Sequence, residues 1–351
     1  MKKSLLRIVA IVVAVAFIIG IGFAVIPKYA NAKSSKKQIK IGLSLATLQE
    51  ERWHKDRDEF VKAAKKLGAN VLVQAANMDD VKQKEQCENL ISQGIDVLVI
   101  VPNNAEVFTS IIDEAHKAGV KVISYDRLIK NANVDLYISF DNVKVGELQG
   151  KYLTSKVPKG NYFVFRGAPT DNNATLFYQG AMKYIKPLVK SGKVKVLFDQ
   201  PVKDWKPEEA LRLCENALTA AKNNVQGILA PNDGTAGGII QALKAQGLAG
   251  KVVVTGQDAD LAAVKRIVEG TQTMTVFKDV RLLAKKAAEV AVELAKGKKV
   301  SQLKDVNGKV YNGKLNVPSI LLTPVAVDKS NIDKVLIKSG WFTKEQVYGK
   351  K

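Results

Sequence analysis

From Ile39 onward the chain alternates two hydrophobic periods. Short apolar runs, which read as strands, are separated by longer stretches with apolar positions three and four apart, which read as helices. Lys40–Leu45 is the first strand. A charged helix over 52–67 follows, with Phe60, Val61, Ala64 and Leu67 as its apolar stripe and Gly68 as its stop. Asn70–Ala75 is the next strand, and Asp79 or Asp80 can cap a helix running to about Ser92. Residues 96–101 are almost continuously apolar, as expected of a strand covered by helices on both faces. A helix over 104–118, a strand over 120–125 and a fifth strand, Leu136–Phe140, complete a doubly wound parallel sheet.

After a helix over 142–156 and a Pro-Lys-Gly turn, the pattern restarts. Strands are expected over 161–165, 193–198, 226–230, 252–255 and 272–276, with helices over 173–190, 206–222, 233–246 and 260–269. A last helix over 279–296 precedes a polar segment over 297–317, an apolar strand over 320–327 and a short tail. With 351 residues the chain exceeds one ordinary core and suits two domains.

Ligands of open α/β sheets sit beyond the carboxyl ends of the strands. Asp126 and Arg127 end one strand as neighbouring opposite charges, expected to orient each other, and Asp258 ends another. Two such ends, far apart in sequence, predict two sheets facing one cleft. A plain surface ion pair is the competing reading. Asn232 stands where a strand gives way to Asp-Gly-Thr-Ala-Gly-Gly; Asp233 is expected as the helix cap and the glycines as close packing. Trp53 and Trp205 each have charged sequence neighbours and no apolar stripe. A lone Trp is usually core, but an indole face beside carboxylates, amides and guanidinium groups also suits a sugar. Its C–H patches stack on the ring while its hydroxyls meet bidentate partners.

Composition narrows the alternatives. The net charge of +20 comes from scattered Lys rather than an Arg-rich block or a reading motif, so nucleic acid is not expected as a partner. Cys87 and Cys214 lack metal or redox spacing and read as small buried residues; the two histidines offer no zinc cluster. No nucleophile with a base, carboxylate dyad or complete dinucleotide fingerprint is found, so an enzyme is not expected, nor a cofactor or metal. Residues 8–26 are uncharged and follow Lys2, Lys3 and Arg7; at about 1.5 Å per residue they would span about 28 Å as a helix. That length favours a retained transmembrane anchor, whereas Ala30, Asn31 and Ala32 offer a signal-peptidase site. The anchor is the reading taken here, with 33–38 as a tether. No cysteine precedes Cys87 to carry a lipid.

Longer runs carry a resemblance. Glu51-Arg-Trp-His-Lys-Asp-Arg57, Tyr125-Asp-Arg127, Tyr137-Ile-Ser-Phe-Asp-Asn142, Asp171-Asn-Asn-Ala174, Gly247-Leu-Ala-Gly-Lys-Val252, Gly256-Gln-Asp-Ala-Asp-Leu261 and Gly270-Thr-Gln-Thr-Met-Thr-Val276 are the most specific. From about Lys40 to its end the chain resembles the periplasmic sugar-binding proteins of the type I fold, and among them the D-xylose binders of ABC import systems. The resemblance implies two α/β lobes, doubly wound parallel sheets joined by a three-segment hinge. Residues 39–141 with 279–322 would form the amino-terminal lobe, 142–278 with 323–351 the other, and 1–38 the anchor or signal plus tether. It further implies that a monosaccharide, D-xylose first, is held by Arg52, Trp53, Asp126 and Arg127 of one lobe and by Asn173, Trp205, Asn232 and Asp258 of the other. Lys278 reaches in at a crossover, and Phe177 is a weaker candidate for the apolar wall. The implied partner is an ABC permease on the outer face of the cell membrane or in the periplasm. The apolar amino terminus departs from a freely diffusing periplasmic protein and raises a second partner, a sensor histidine kinase. The lactose-repressor family shares the two-lobe core, but its members begin with a helix-turn-helix, which this chain lacks.

Overall fold

The computed structural model of the protein describes residues 38–349; the span 8–26 lies outside them. In chain order the elements are β1 (Lys40–Leu45), α1 (Glu51–Lys66), β2 (Asn70–Ala75), α2 (Asp80–Ser92), β3 (Val97–Val101), α3 (Thr109–Lys117), β4 (Lys121–Tyr125), β5 (Leu136–Phe140) and α4 (Asn142–Lys156). Next come β6 (Gly160–Arg166), α5 (Asn172–Lys190), β7 (Val194–Pro201), a short turn Lys203–Trp205, α6 (Pro207–Ala220), β8 (Gly227–Leu229), α7 (Asp233–Ala245), β9 (Val253–Val254) and α8 (Leu261–Glu269). The chain closes with β10 (Met274–Phe277), α9 (Val280–Ala295), β11 (Gly308–Tyr311), β12 (Asn316–Leu322), β13 (Val325–Asp328) and α10 (Lys344–Tyr348).

Among the described residues three sheets form. The largest has the order β11-β12-β5-β4-β3-β1-β2 and is parallel except for the β11–β12 edge pair. The second, β7-β6-β8-β9, is wholly parallel, and β10 pairs antiparallel with β13 beside it. The chain passes between the large sheet and the others three times, after β5, after β10 and between β12 and β13.

Strand alternation explains the layering. On β3, Val97, Val99 and Val101 join Phe60 of α1 and Leu283 of α9 in one core, whereas Leu98 and Ile100 face Leu90 of α2 and Ile112 of α3 in another. Around the second sheet, Phe163, Phe165 and Ile228 pack on α6 and α7, while Tyr162, Val164 and Leu229 pack on α4 and α5. The α4–α5 crossing is unusually close. A Cβ on Gly146 would sit 1.9 Å from the Phe177 carbonyl oxygen, and one on Gly180 2.0 Å from that of Val143. This contact carries Asn173 and Phe177 toward the strand ends.

Several expected boundaries move. The helix expected over 104–118 begins only at Thr109, because Asn103 and Asn104 are held by Asp80, with Nδ2 to carboxylate distances of 2.5 and 3.1 Å. The apolar run 320–327 is two strands in different sheets. Pro324 lies at the break, where it has no N–H for a ladder. The polar segment 297–317 contains the edge strand β11, and the run expected at 272–276 pairs with β13 instead of extending the parallel sheet. The short tail is folded: Trp341 and Phe342 are buried with Phe277, Val327 and Leu336. Cys87 and Cys214 are buried free thiols. Among the described residues no helix is long and apolar enough to cross a membrane.

Candidate functional site

Strand and helix ends converge on one small, polar-lined cavity. Every residue singled out in the sequence lines it: Arg52, Trp53, Asp126, Arg127, Asn173, Phe177, Trp205, Asn232, Asp258 and Lys278. The two tryptophans are 3% and 5% exposed despite their charged sequence neighbours. Glu50, Asp171 and Gln257 also line the cavity and were not singled out. Glu50 leaves no motif, only its place between β1 and α1. Asp171 is visible as a helix-capping Asp, and Gln257 as the neighbour of Asp258.

Arg52 occupies the first turn of α1, the positive end of the helix dipole, where a cation is disfavoured. Asp56, one turn on, compensates: it accepts from Nε at 3.1 Å and from Nη2 at 3.2 Å. Arg52 Nη2 also donates to Asp126 Oδ1 at 2.7 Å, and Nη1 lies 3.6 Å from Asp258 Oδ1. Burial works against the Arg52 charge, but Asp126, Asp56 and Asp258 outweigh it and raise the pKa well above the ordinary Arg value. Burial likewise pushes the Asp126 carboxyl up; Arg52, Lys278 and Arg127 more than offset it and hold Asp126 below the usual carboxylate range.

Asp126 and Arg127 do not orient each other, contrary to expectation. Asp126 has φ 59°, a left-handed backbone that turns the two neighbours apart. Asp126 pairs with Arg52, whereas Arg127 Nε meets Asp171 Oδ2 at 3.0 Å. The turned Asp126 carbonyl accepts from Tyr137 Oη at 3.0 Å, Ser139 Oγ at 2.6 Å and Asn173 Nδ2 at 3.1 Å. Trp205 and Asp258 also have positive φ, 58° and 100°. Such non-glycine conformations cost about 1–3 kcal/mol each and persist where surrounding structure imposes them. Three site residues share the feature.

The apolar walls carry cations. The Arg52 guanidinium carbon lies 4.3 Å from the Trp53 ring centre and that of Arg127 5.3 Å, while Lys278 Nζ is 5.6 Å from the Phe177 ring. Phe177 meets Trp205 edge to face at 6.4 Å. Lys278 Nζ lies 3.1 Å from Asp258 Oδ1. Asn232, rather than Asp233, is the helix cap: its Oδ1 accepts from the Thr235 amide at 3.0 Å. Asp233 turns inward and accepts from Gln272 Nε2, Thr275 Oγ1 and the Asp260 amide. Burial and the Asp258 carboxylate, against Arg266, push Asp233 up to about 7.

Four groups around the cavity are buried without a hydrogen-bond partner among the described residues, Trp53 Nε1, Trp205 Nε1, Glu50 Oε2 and Gln257 Oε1, while Asp258 Oδ1 has only its ionic contacts with Lys278 and Arg52. Unpaired buried polar atoms cost free energy, and this set offers both donors and acceptors. Paired charges, indole faces and mixed hydrogen-bonding groups suit a small, uncharged, polyhydroxylated molecule.

Comparison with known proteins agrees with this chemistry. Residues 41–299 match the periplasmic binding protein domain. The D-xylose-binding periplasmic protein of Haemophilus influenzae is 56% identical over 318 residues, covering 91% of this chain and 95% of the relative. Its namesake from Escherichia coli is 53% identical over 317 residues, covering 90% and 95%. Among solved structures, a carbohydrate-transporter solute-binding protein of Chloroflexus aurantiacus in complex with D-glucose is similar at a TM-score of 0.83. It has 35% identity and covers 88% of this chain and 98% of that one.

Proposed function

The chain belongs to the periplasmic binding protein family, and from that premise we propose that it is an extracytoplasmic receptor that closes on a monosaccharide, D-xylose first, and serves an ABC sugar importer. The observation that carries this reading is the cavity itself, where residues from both sides of the three crossovers meet and leave donors and acceptors unpaired. Names and bound sugars of similar proteins point the same way.

In this proposal residues 39–141 with 279–322 form one lobe and 142–278 with 323–351 the other. Arg52, Trp53, Asp126 and Arg127 act from the first; Asn173, Trp205, Asn232 and Asp258 act from the second; Lys278 acts from a crossover. Phe177 adds apolar wall, and Glu50 and Gln257 are further hydroxyl acceptors. A ligand shifts the open–closed balance only through its better binding to the closed form, and contacts from both lobes provide that difference. The charges are already paired with one another, as a neutral ligand requires: Arg52 with Asp56 and Asp126, Arg127 with Asp171, Lys278 with Asp258. Calorimetric titration with D-xylose, D-ribose and D-glucose tests the reading, which fails if none of the three binds.

The uncharged span 8–26 favours a second reading, a membrane-anchored receptor that presents its closed form to a sensor histidine kinase. Sequencing the amino terminus of the mature protein, with membrane fractionation, separates the two. A soluble product starting near Lys33 removes the case for the anchored sensor.

A further inference from the structure

The two lobes also touch each other directly, through a backbone contact that involves no side chain offered to the sugar. The Ala105 amide, in the loop after β3, donates to the Thr170 carbonyl, in the loop before α5, at 3.0 Å. Ala105 is fixed from both sides, because its own carbonyl accepts from the Lys130 amide at 2.7 Å. The loop is braced by Asn103 and Asn104 on Asp80. Next to Thr170, Asp171 is 3% exposed. Its Oδ1 accepts from the Asn173 amide at 2.9 Å and so caps α5, while Oδ2 reaches across to Arg127 Nε at 3.0 Å. The remaining polar partners of Arg127 are longer, Glu50 Oε1 at 3.8 Å and the Pro102 carbonyl at 3.5 Å.

We propose that Asp171, with the Ala105–Thr170 backbone pair, is a clasp that holds the lobes closed and positions Arg127. It rests on the two-lobe reading above and adds that ligand release is timed by a protein–protein contact as well as by the sugar. When the lobes part, Arg127 loses its shortest carboxylate partner and the Ala105 amide its acceptor. Arg127 therefore meets a ligand in its aligned position only in the closed form. Asp171 is in this account a positioning residue, acting through Arg127.

Two variants test the clasp: Asp171→Asn separates it from the helix cap, and Ala105→Pro separates it from sugar contact, since Asp171 itself lines the cavity and Ala105 does not. Asp171→Asn keeps an oxygen to accept from the Asn173 amide but removes the charge opposite Arg127. Ala105→Pro removes the donated N–H and alters no group offered to the sugar. Stopped-flow tryptophan fluorescence with D-xylose should show dissociation at least about tenfold faster in Asp171→Asn, because breaking a buried charge pair acts on the off-rate. It should be about two- to tenfold faster in Ala105→Pro, which loses one backbone hydrogen bond, with association changed much less in both. Small-angle scattering of the sugar-free protein should show the compact population of the wild type reduced in both. A folded Ala105→Pro variant with wild-type dissociation and wild-type scattering overturns the clasp, whatever Asp171→Asn does. If the wild type binds none of the three sugars, the functional reading fails instead, and scattering alone still decides the clasp.

Discussion

Replacing Gly167 by Ala adds one methyl group outside the cavity and should weaken sugar binding. Gly167 follows β6 and lies beneath the indole of Trp205; a Cβ there would sit 2.0 Å from Cη2, 2.3 Å from Cζ2 and 2.5 Å from Cζ3. Carbon atoms rest about 3.5–4.0 Å apart, so the ring edge must retreat by about 1.5 Å. Its backbone offers little relief, since Asp204 and Trp205 are both held at positive φ, 53° and 58°. The ring instead moves away from Gly167, toward the cavity it lines and toward Phe177. Overpacking of this kind costs about 1–3 kcal/mol. If it falls on the closed form, Kd rises by about 5- to 150-fold. Isothermal titration with D-xylose measures the change, and circular dichroism checks that the fold survives. A Gly167→Ala variant that binds as tightly as the wild type would refute the placement of Trp205 as a wall of the site.

Three further outcomes follow from the same geometry. Asp258→Ala leaves Lys278 buried without its 3.1 Å partner and should weaken sugar binding by about 2 kcal/mol or more, read by calorimetry. Trp341→Ala removes the 5.0 Å ring contact with Phe277, the Nε1 bond to the Ala259 carbonyl and the Lys55 cation over the indole at 4.0 Å. Urea unfolding should show a loss of about 3–5 kcal/mol. Thermal stability should fall between pH 5 and pH 8. Burial and neighbouring carboxylates raise Asp233 to about 7 and Asp260 well above the ordinary Asp value, so the folded state keeps protons that the unfolded chain has released. That stability is complete below about pH 4, the ordinary Asp value, and is lost as pH rises through the folded pKa. Asp126, shifted downward, has given its full contribution by pH 5 and does not mask the trend. Asp260→Asn should flatten the dependence; a wild-type Tm equal at both pH values would contradict the assignment.

The parallel sheets were legible because β3 is apolar throughout and β1 through β4 alternate with helices flanked by Gly or Asp. Strand-end logic also brought Asp126, Arg127, Asn232 and Asp258 forward, and all four line the cavity. What the pattern could not carry was backbone direction. The left-handed turn at Asp126 separates two adjacent charges that look like partners on paper, and no hydrophobic period encodes it. Pro324 ended a strand where the apolar run suggested continuity, so the hydrophobic pattern alone did not show the third passage between sheets, which only the resemblance implied. Asp171 was read only as part of a motif because its partner, Arg127, is distant in sequence and is brought to 3.0 Å only by the fold.

Whether one sugar is gripped from both lobes at once is decided by a crystal structure of the protein grown with D-xylose. The expected result is a single pentose between Trp53 and Trp205, with hydroxyls about 2.7–3.2 Å from groups on Asp126 or Arg127 and also on Asn232 or Asp258. A sugar held by one lobe alone, or outside this cavity, would contradict it.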